Sequence, residues 1–521
     1  MTAPRRVSVA VLSWNGRQHL ETCLTALAEQ DDPGVEWEVL VLDNGSTDGT
    51  GAWLGARYPQ GRLDSQAAPA APEPRSPAPS SSPASPPRSS PSSLSSPAWR
   101  PAVRWFASPV NLGFCAGNNR LVEAASGDAV ALLNNDTRPS RGWLAALVRA
   151  LAAAPADVAA VSGKIVDWDG ERLDFGRGVM TFDGHAFQLD FRRPLRSARV
   201  PERGEELLFA CGGNMLIRRA SFLAAGGFDE SYFAYLEDVD LGWRLWSGGE
   251  RVTFEPEAVV HHRSNATSDL LGLFNRGFLF ERNAFLTAYK NYEPGLWEKV
   301  MPALLLTFLS RTQTMLADNN PGGGSLRIDP YAGWIANTAA PAPASAAAAP
   351  ATGAADARLP ASAPPLSLAA IGRKWREHGT RELCRRAAVK LRARLRAVLP
   401  AGADGGRGRP KESAPRAPIL TDERTVAQLR ALSYLLAHLE AAAAAREAVQ
   451  RRRRRSDREI FARFPPYLVP TYPGDQFLFA SPGFTAWLPA ELPLVRHALD
   501  EIMELDPPGD GDAREEACAD S

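Results

Sequence analysis

Three short apolar runs, each stopping abruptly on asparagine, aspartate or glycine, constrain this 521-residue chain more than any other feature. Val7–Leu12 ends at Ser13-Trp14-Asn15-Gly16, Trp37–Leu42 at Asp43-Asn44-Gly45, and Ala129–Leu133 at Asn134-Asn135-Asp136-Thr137. A β-branched run, a polar turn and then a helical pattern from about Arg17 to Glu29 form the opening of a βαβ unit. Strands that carry Asn, Asp and Gly at their carboxyl ends are what an open α/β sheet needs to bind a ligand at its crevice. The oxygens that end 129–133 suit a hard divalent cation. For Asp43 to Gly49, a turn with a helix cap is an equally good local account.

The rest of the chain extends this pattern. A short strand is expected at 103–106, a glycine-punctuated loop at Asn111–Asn119 leading into a helix at 120–125, a helix at 142–154 and a strand at 158–165. Residues 166–206 read as an irregular, aromatic-bearing lobe that shapes an acceptor pocket. Phe209–Arg218 reads as a strand, 219–225 as a helix ended by Gly226-Gly227, and 251–254 and 258–260 as short strands ending at His261-His262. The expected domains are 1–270 with a disordered Ser/Pro insertion at about 65–98, a helical extension at 271–336, an Ala/Pro linker at 337–371 and a basic helical region at 372–521. That last region should hold a basic helix at 372–398, a flexible stretch at 401–418 and one long helix at 421–463 carrying Arg451–Arg455. Its arginines form either a solvated face or a surface attracted to anionic lipid headgroups.

Charge and cysteine usage narrow the function. The 59 basic and 59 acidic residues balance, which argues against nucleic acid as a partner. Five scattered cysteines without CxxC spacing predict neither a disulfide framework nor a zinc site. The chain runs from Arg6 straight into a strand without a leader pattern, and its longest apolar runs are about half of a bilayer span. A cytoplasmic location is expected, peripheral at the inner face of the cell membrane if lipid headgroups attract the basic helices.

The densest chemistry lies at Tyr235–Leu245. Glu237, Asp238 and Asp240 open a helix whose apolar positions Val239, Trp243 and Trp246 turn one side to a core. The helix dipole favours one or two acids there, and Asp240 can pair with Arg244 at i, i+4 as surface structure. Glu237 and Asp238, behind Tyr232, Phe233 and Tyr235, remain as carboxylates at a pocket wall.

Together and in this order, these motifs resemble family 2 glycosyltransferases of the GT-A fold over about residues 5–270. Asn111–Asn119 and the run from Gly226-Gly227-Phe228-Asp229 to Leu241 look most like the rhamnosyltransferase-type branch. The resemblance implies an α/β, Rossmann-like mixed sheet flanked by helices. It also implies an inverting enzyme that moves a sugar, rhamnose favoured, from a nucleotide diphosphate donor to a glycan or lipid-linked saccharide. Ser13, Trp14, Asn15 and Asp43 would hold the nucleobase, with Asn111, Gly113, Asn118 and Asn135 completing the nucleotide-sugar site. Asp136, the last position of a DxD-type motif whose first is Asn134, would bind Mg²⁺ or Mn²⁺ with His262, His261 being the alternative. Asp238 would be the general base and Glu237 its helper. A sugar nucleotidyltransferase and a non-catalytic membrane-associated scaffold with an inactive lobe remain as other readings.

Overall fold

The computed structural model describes residues 3–61, 101–263, 273–317, 423–472 and 474–504. The insertion expected at 65–98, the linker at 337–371, the basic helix at 372–398 and the stretch at 401–418 lie outside them.

The first half of the chain builds one mixed sheet. β1 (Arg6–Ser13), α1 (Arg17–Ala28), β2 (Glu36–Asn44), α2 (Thr50–Gly55), β3 (Ala102–Ser108), α3 (Gly113–Ala124) and β4 (Ala129–Asn134) give four strands in the order β3-β2-β1-β4, all parallel. After β5 (Thr137–Pro139), α4 (Trp143–Ala153), β6 (Val158–Asp167), β7 (Leu173–Phe175), β8 (Arg177–Met180) and β9 (Ala186–Leu189), the sheet continues through β10 (Asn214–Arg218). β10 runs antiparallel to both β4 and β6. α5 (Arg219–Ala225), α6 (Glu237–Ser247) and β11 (Arg251–His262) follow, with β11 parallel to β6 and antiparallel to β5. This is the helix-flanked mixed sheet that the resemblance implies. The carboxyl ends of β1, β2, β4, β6 and β11 share one edge with the start of β10. Every polar terminus singled out in the sequence is thereby carried to the same rim.

Burial explains the strands. Val7, Val9, Val11, Val39, Val41, Ala131 and Leu132 are buried without measurable exposure between helices on the two faces. Continuous rather than alternating apolar runs suit strands covered on both sides.

Several boundaries differ from the sequence reading. α3 begins at Gly113, so most of the supposed loop at 111–119 is its first turns. Its glycine serves close approach: a Cβ at Gly117 would sit 2.5 Å from Leu12 Cδ1. Only 214–218 of the expected 209–218 strand is extended into the sheet. The strands at 251–254 and 258–260 are one, β11, with its register to β6 interrupted between Glu255 and Val259.

Beyond β11 the described residues are mainly helical, beginning with α7 (Leu273–Asn291), α8 (Pro294–Ala317), α9 (Glu423–Ala437), α10 (Leu439–Arg452) and α11 (Asp457–Arg463). Residues 423–504 belong to the same compact unit as the N-terminal lobe, and α9 and α10 lie along α7. The expected single helix at 421–463 is thus three. The chain leaves the helical path at Arg453 (ψ 133°), and Ser456 starts α11 with a reciprocal cap to Glu459. Arg453 donates to Asp457 at 2.8 Å and to the Asn291 carbonyl. Arg455 donates to the carbonyls of Trp246, Gly249 and Glu250 while lying over the Trp246 ring. These two arginines are neither a solvated face nor a lipid contact; they tie helix ends together. Among the described residues, no helix is long and apolar enough to cross a membrane.

Candidate active site

A cavity of about 380 Å³ opens on the polar rim of the sheet. Trp14, Asn111, Gly113, Asn135, Asp136, Glu237, Asp238 and His262 line it, together with Asn44, Asp174, Gln188, Phe191, Gly212 and Tyr235. Residues far apart in sequence meet there because the sheet register aligns their strand ends.

On the wall built from β1, β2 and β4, side-chain amides cross-link the strand ends. Asn44 donates to Asn111 Oδ1 at 2.9 Å and accepts from the Leu112 amide at 2.9 Å, clasping the entry to α3. Asn135 donates to Ser13 Oγ at 3.0 Å. Asn15, in the left-handed region at φ 49°, accepts from the Thr47 amide at 2.7 Å. Asp43 accepts from the Ser46 amide at 3.1 Å. Ser13, Asn15 and Asp43 therefore stand behind the lining as its frame. Asn118 turns back to the Phe114 carbonyl at 3.0 Å and does not line the cavity.

The next wall follows from strand pairing. His262 lies opposite Thr137 across β11 and β5, which sets its Nε2 3.4 Å from Asp136 Oδ1. Its Nδ1 is 2.8 Å from Asp174 Oδ2. Burial disfavours the imidazolium, but the charges of Asp136 and Asp174, with the bond to Asp174, outweigh it and raise His262 to about 10. His261 faces the other way, toward the Trp168 carbonyl at 3.2 Å, as alternation along a strand requires. Asp136 Oδ1 is buried without a hydrogen-bond partner, the 3.4 Å contact to His262 being too long and poorly aligned to serve as one. The orphaned carboxylate oxygen fits a hard cation, and His262 would join it as a ligand on giving up the Nε2 proton that the cation displaces. Among the described residues, however, no group of three His, Cys, Asp or Glu side chains could hold one alone, so the remaining ligands would come from substrate oxygens and water.

The third wall holds the carboxylate pair. Glu237 is buried, its Oε2 has no partner, and burial followed by the charge of Asp238 raises it well above the usual carboxylate range. Asp238 is half-buried. Burial raises it too, but less, because it accepts from the Gly212 amide at 3.1 Å and the Val239 amide at 2.9 Å. Of the two, Glu237 is held further toward its protonated form.

The backbone leading into this pair is unusual. Phe233, Tyr235 and Leu236 have φ of 64°, 70° and 62°, each costing on the order of 1–3 kcal/mol for a residue with a side chain. The Phe233 carbonyl accepts from the Cys115 amide at 3.1 Å. Gly113, itself at φ +81°, leaves room for it, since a Cβ there would lie 2.7 Å from that carbonyl oxygen. Asp240 is not surface structure: it is fully buried, paired with Arg244 and Lys290 at 2.8 and 3.0 Å and bonded by Asn291 at 3.0 Å. It fastens α6 to α7.

The sequence reading missed Asn44, Asp174, Gln188, Phe191 and Gly212. Asn44 ends its strand one residue after Asp43, where the apolar run turns polar. Asp174, Gln188 and Phe191 come from the lobe read as irregular, where β7 is only three residues long and offers no periodicity to read.

Comparison with known proteins adds to this geometry. Residues 8–62 and 93–224 match the model of glycosyl transferase family 2. The chain is 29% identical over 280 residues to an N-acetylglucosaminyl-diphospho-decaprenol L-rhamnosyltransferase of Mycobacterium tuberculosis, covering 50% of this chain and 76% of that protein. It is 32% identical over 155 residues to a pre-mycofactocin glycosyltransferase of the same species, covering 30% of this chain and 31% of the other. A solved mannosyltransferase of Pyrobaculum calidifontis gives a TM-score of 0.36 at 18% identity, covering 65% of this chain and 80% of that one. Neither the nucleotidyltransferase reading nor the scaffold reading finds support in these matches. By these matches the chain is a glycosyltransferase, similar to family 2 over residues 8–62 and 93–224 and to rhamnosyltransferases among its relatives.

Proposed function

We propose that this enzyme is an inverting glycosyltransferase that moves rhamnose from a nucleoside diphosphate donor to a hydroxyl of a lipid-linked saccharide, working at the cytoplasmic face of an anionic membrane. The observation that carries the reading is the convergence, in one cavity, of the Glu237 and Asp238 carboxyls with an amide-rich wall and the Asp136–His262 pair. Similarity to an enzyme named for a decaprenyl-diphosphate-linked acceptor supports the substrate class.

Trp14, Asn111, Gly113 and Asn135 form the donor side, with Ser13, Asn15, Asp43 and Asn118 as its support. Asp238 takes the proton of the acceptor hydroxyl as that oxygen bonds to the anomeric carbon and the carbon–diphosphate bond breaks. Attack from the face opposite the leaving group inverts the configuration. The Gly212 and Val239 amides hold Asp238 in place and favour its ionised form against the effect of burial. Glu237, pushed toward its protonated form by burial, would as the acid donate a hydrogen bond to the acceptor. Asp136 and His262 would hold Mg²⁺ or Mn²⁺, which stabilises charge developing on the leaving diphosphate.

The test is a panel of nucleoside diphosphate sugars offered with a polyprenyl-diphosphate-linked saccharide. The expected result is nucleoside diphosphate release that needs both acceptor and divalent metal, is fastest with a rhamnosyl donor, and gives product of inverted configuration by NMR. Retained configuration, or release indifferent to acceptor, would overturn the proposal.

A further inference from the structure

Beyond the residues that line the cavity, one side chain of α7 controls the path of the chain into the carboxylate pair. Asn283 is buried without measurable exposure. Its amide nitrogen donates toward three carbonyls of a single loop, those of Tyr232 at 3.1 Å, Ala234 at 2.8 Å and Tyr235 at 2.7 Å. The loop carries the left-handed backbone of Phe233, Tyr235 and Leu236 and ends one residue before Glu237. A conformation this unfavourable for residues with side chains persists only where its surroundings over-determine it.

The orientation of the amide follows from its other end. Arg282 Nε donates to Asn283 Oδ1 at 2.9 Å. The oxygen is thus occupied by a guanidinium, and the nitrogen must face the loop. Arg282 adds a second tie, Nη2 to the Tyr232 carbonyl at 2.6 Å, and lies over the ring of Tyr434 in α9. Seven residues on, the same helix holds the other side of the pair, since Lys290 and Asn291 engage Asp240. None of these α7 residues falls within the span matched by the family model.

We propose that Asn283 is a positioning residue for Asp238, acting through the backbone of Tyr232–Tyr235 without touching substrate. The inference rests on the reading of Asp238 as the base. With the loop held, α6 begins where Asp238 can accept from Gly212 and Val239 and face the cavity. Without it, the strained residues relax toward ordinary backbone angles, and the start of α6 moves.

Asn283→Asp tests this at constant volume, turning the donor into an oxygen that faces three carbonyls. In full-length protein, kcat for transfer should fall about 10²-fold, the scale of a misplacement near 1 Å, while the donor KM and nucleoside diphosphate affinity stay within about twofold. The acidic limb of the kcat–pH profile should move to higher pH, because a displaced Asp238 loses the amide bonds that favour its ionised form. Asn283→Ser, too short to reach all three carbonyls, should show the same split to a smaller degree. A purely structural role predicts a lower melting temperature with kcat per folded molecule, KM and pH profile unchanged. That result, or failure of both variants to fold, would overturn the inference. Asp238→Asn in parallel separates the two claims: full activity there sinks the base assignment, whereas an inactive Asp238→Asn beside a wild-type-like Asn283→Asp sinks only the positioning role.

Discussion

The two sides of the cavity are built by opposite means. On the donor side, Ser13, Asn15, Asp43, Asn44, Asn111 and Asn135 sit at or just past strand ends and bond mostly to one another's side chains or to neighbouring turns. On the carboxylate side, Glu237 and Asp238 follow three residues in the left-handed region, held by Arg282 and Asn283 from a helix some fifty positions away. The first wall is the natural termination of a parallel sheet. The second stores strain and needs a brace, which is why the brace lies outside the sheet altogether.

The comparison breaks most severely at Asp238. Asp238→Asn should lower kcat by about 10²-fold or more, with donor affinity near wild type by calorimetry, since the donor wall does not depend on it. In the unmodified enzyme the acidic limb of kcat should lie above the ordinary Asp value near 3.9, because burial raises Asp238. A limb at or below that value would remove the base from this carboxylate.

Gly113 joins the two walls, and a substitution there should injure both. A Cβ would stand 2.5 Å from the Phe233 ring and 2.7 Å from its carbonyl oxygen, at φ +81°. Gly113→Ala should cost about 1–3 kcal/mol, visible as a melting temperature lower by several degrees together with weaker donor binding and slower turnover. If only donor binding suffers, the walls are less coupled than the geometry implies.

Asp136→Ala sharpens the donor side alone. Nucleoside diphosphate affinity in Mg²⁺ or Mn²⁺ should drop about tenfold, near 1.4 kcal/mol, and the difference from wild type should vanish in EDTA. Equal affinities in metal would leave Asp136 without a cation.

Glu237→Gln has the smallest expected effect, and its sign is the informative part. A carboxyl whose folded pKa is raised contributes favourably only below that pKa, and its contribution is lost as pH climbs through it. Because Glu237 is raised well above its usual range, the amide should stabilise the protein at alkaline pH relative to pH 5, by about 2 °C in melting temperature. Destabilisation at every pH would show that the acid proton makes a bond the amide cannot.

How much could be read in advance follows the same division. β1, β2 and β4 were legible because a strand covered on both faces must be apolar throughout, and its end must turn polar where the chain meets solvent. His262 and Asp136 were legible as types, but their meeting depends on β11 pairing with β5, a long-range register. The start of α3 was misread because glycine means loop to local propensity, whereas Gly117 is there to let a helix approach Leu12. Arg453 and Arg455 were misread because a run of arginines looks solvated until their carbonyl acceptors on α6 and α7 are known.

Sequence alone settled what depends on neighbours along the chain: an α/β core, polar strand ends, and an acidic helix start at Glu237 and Asp238. Tertiary structure decided that Glu237 is raised further than Asp238, since that turns on burial and on the Gly212 amide arriving from another segment. It also decided that Asp240 is a buried fastener rather than a surface partner of Arg244, because Lys290 and Asn291 reach it from α7. The physical reason is common to both: periodicity and propensity act over a turn or two, while the charge state and strain of a site are set by whatever the fold brings within a few ångströms.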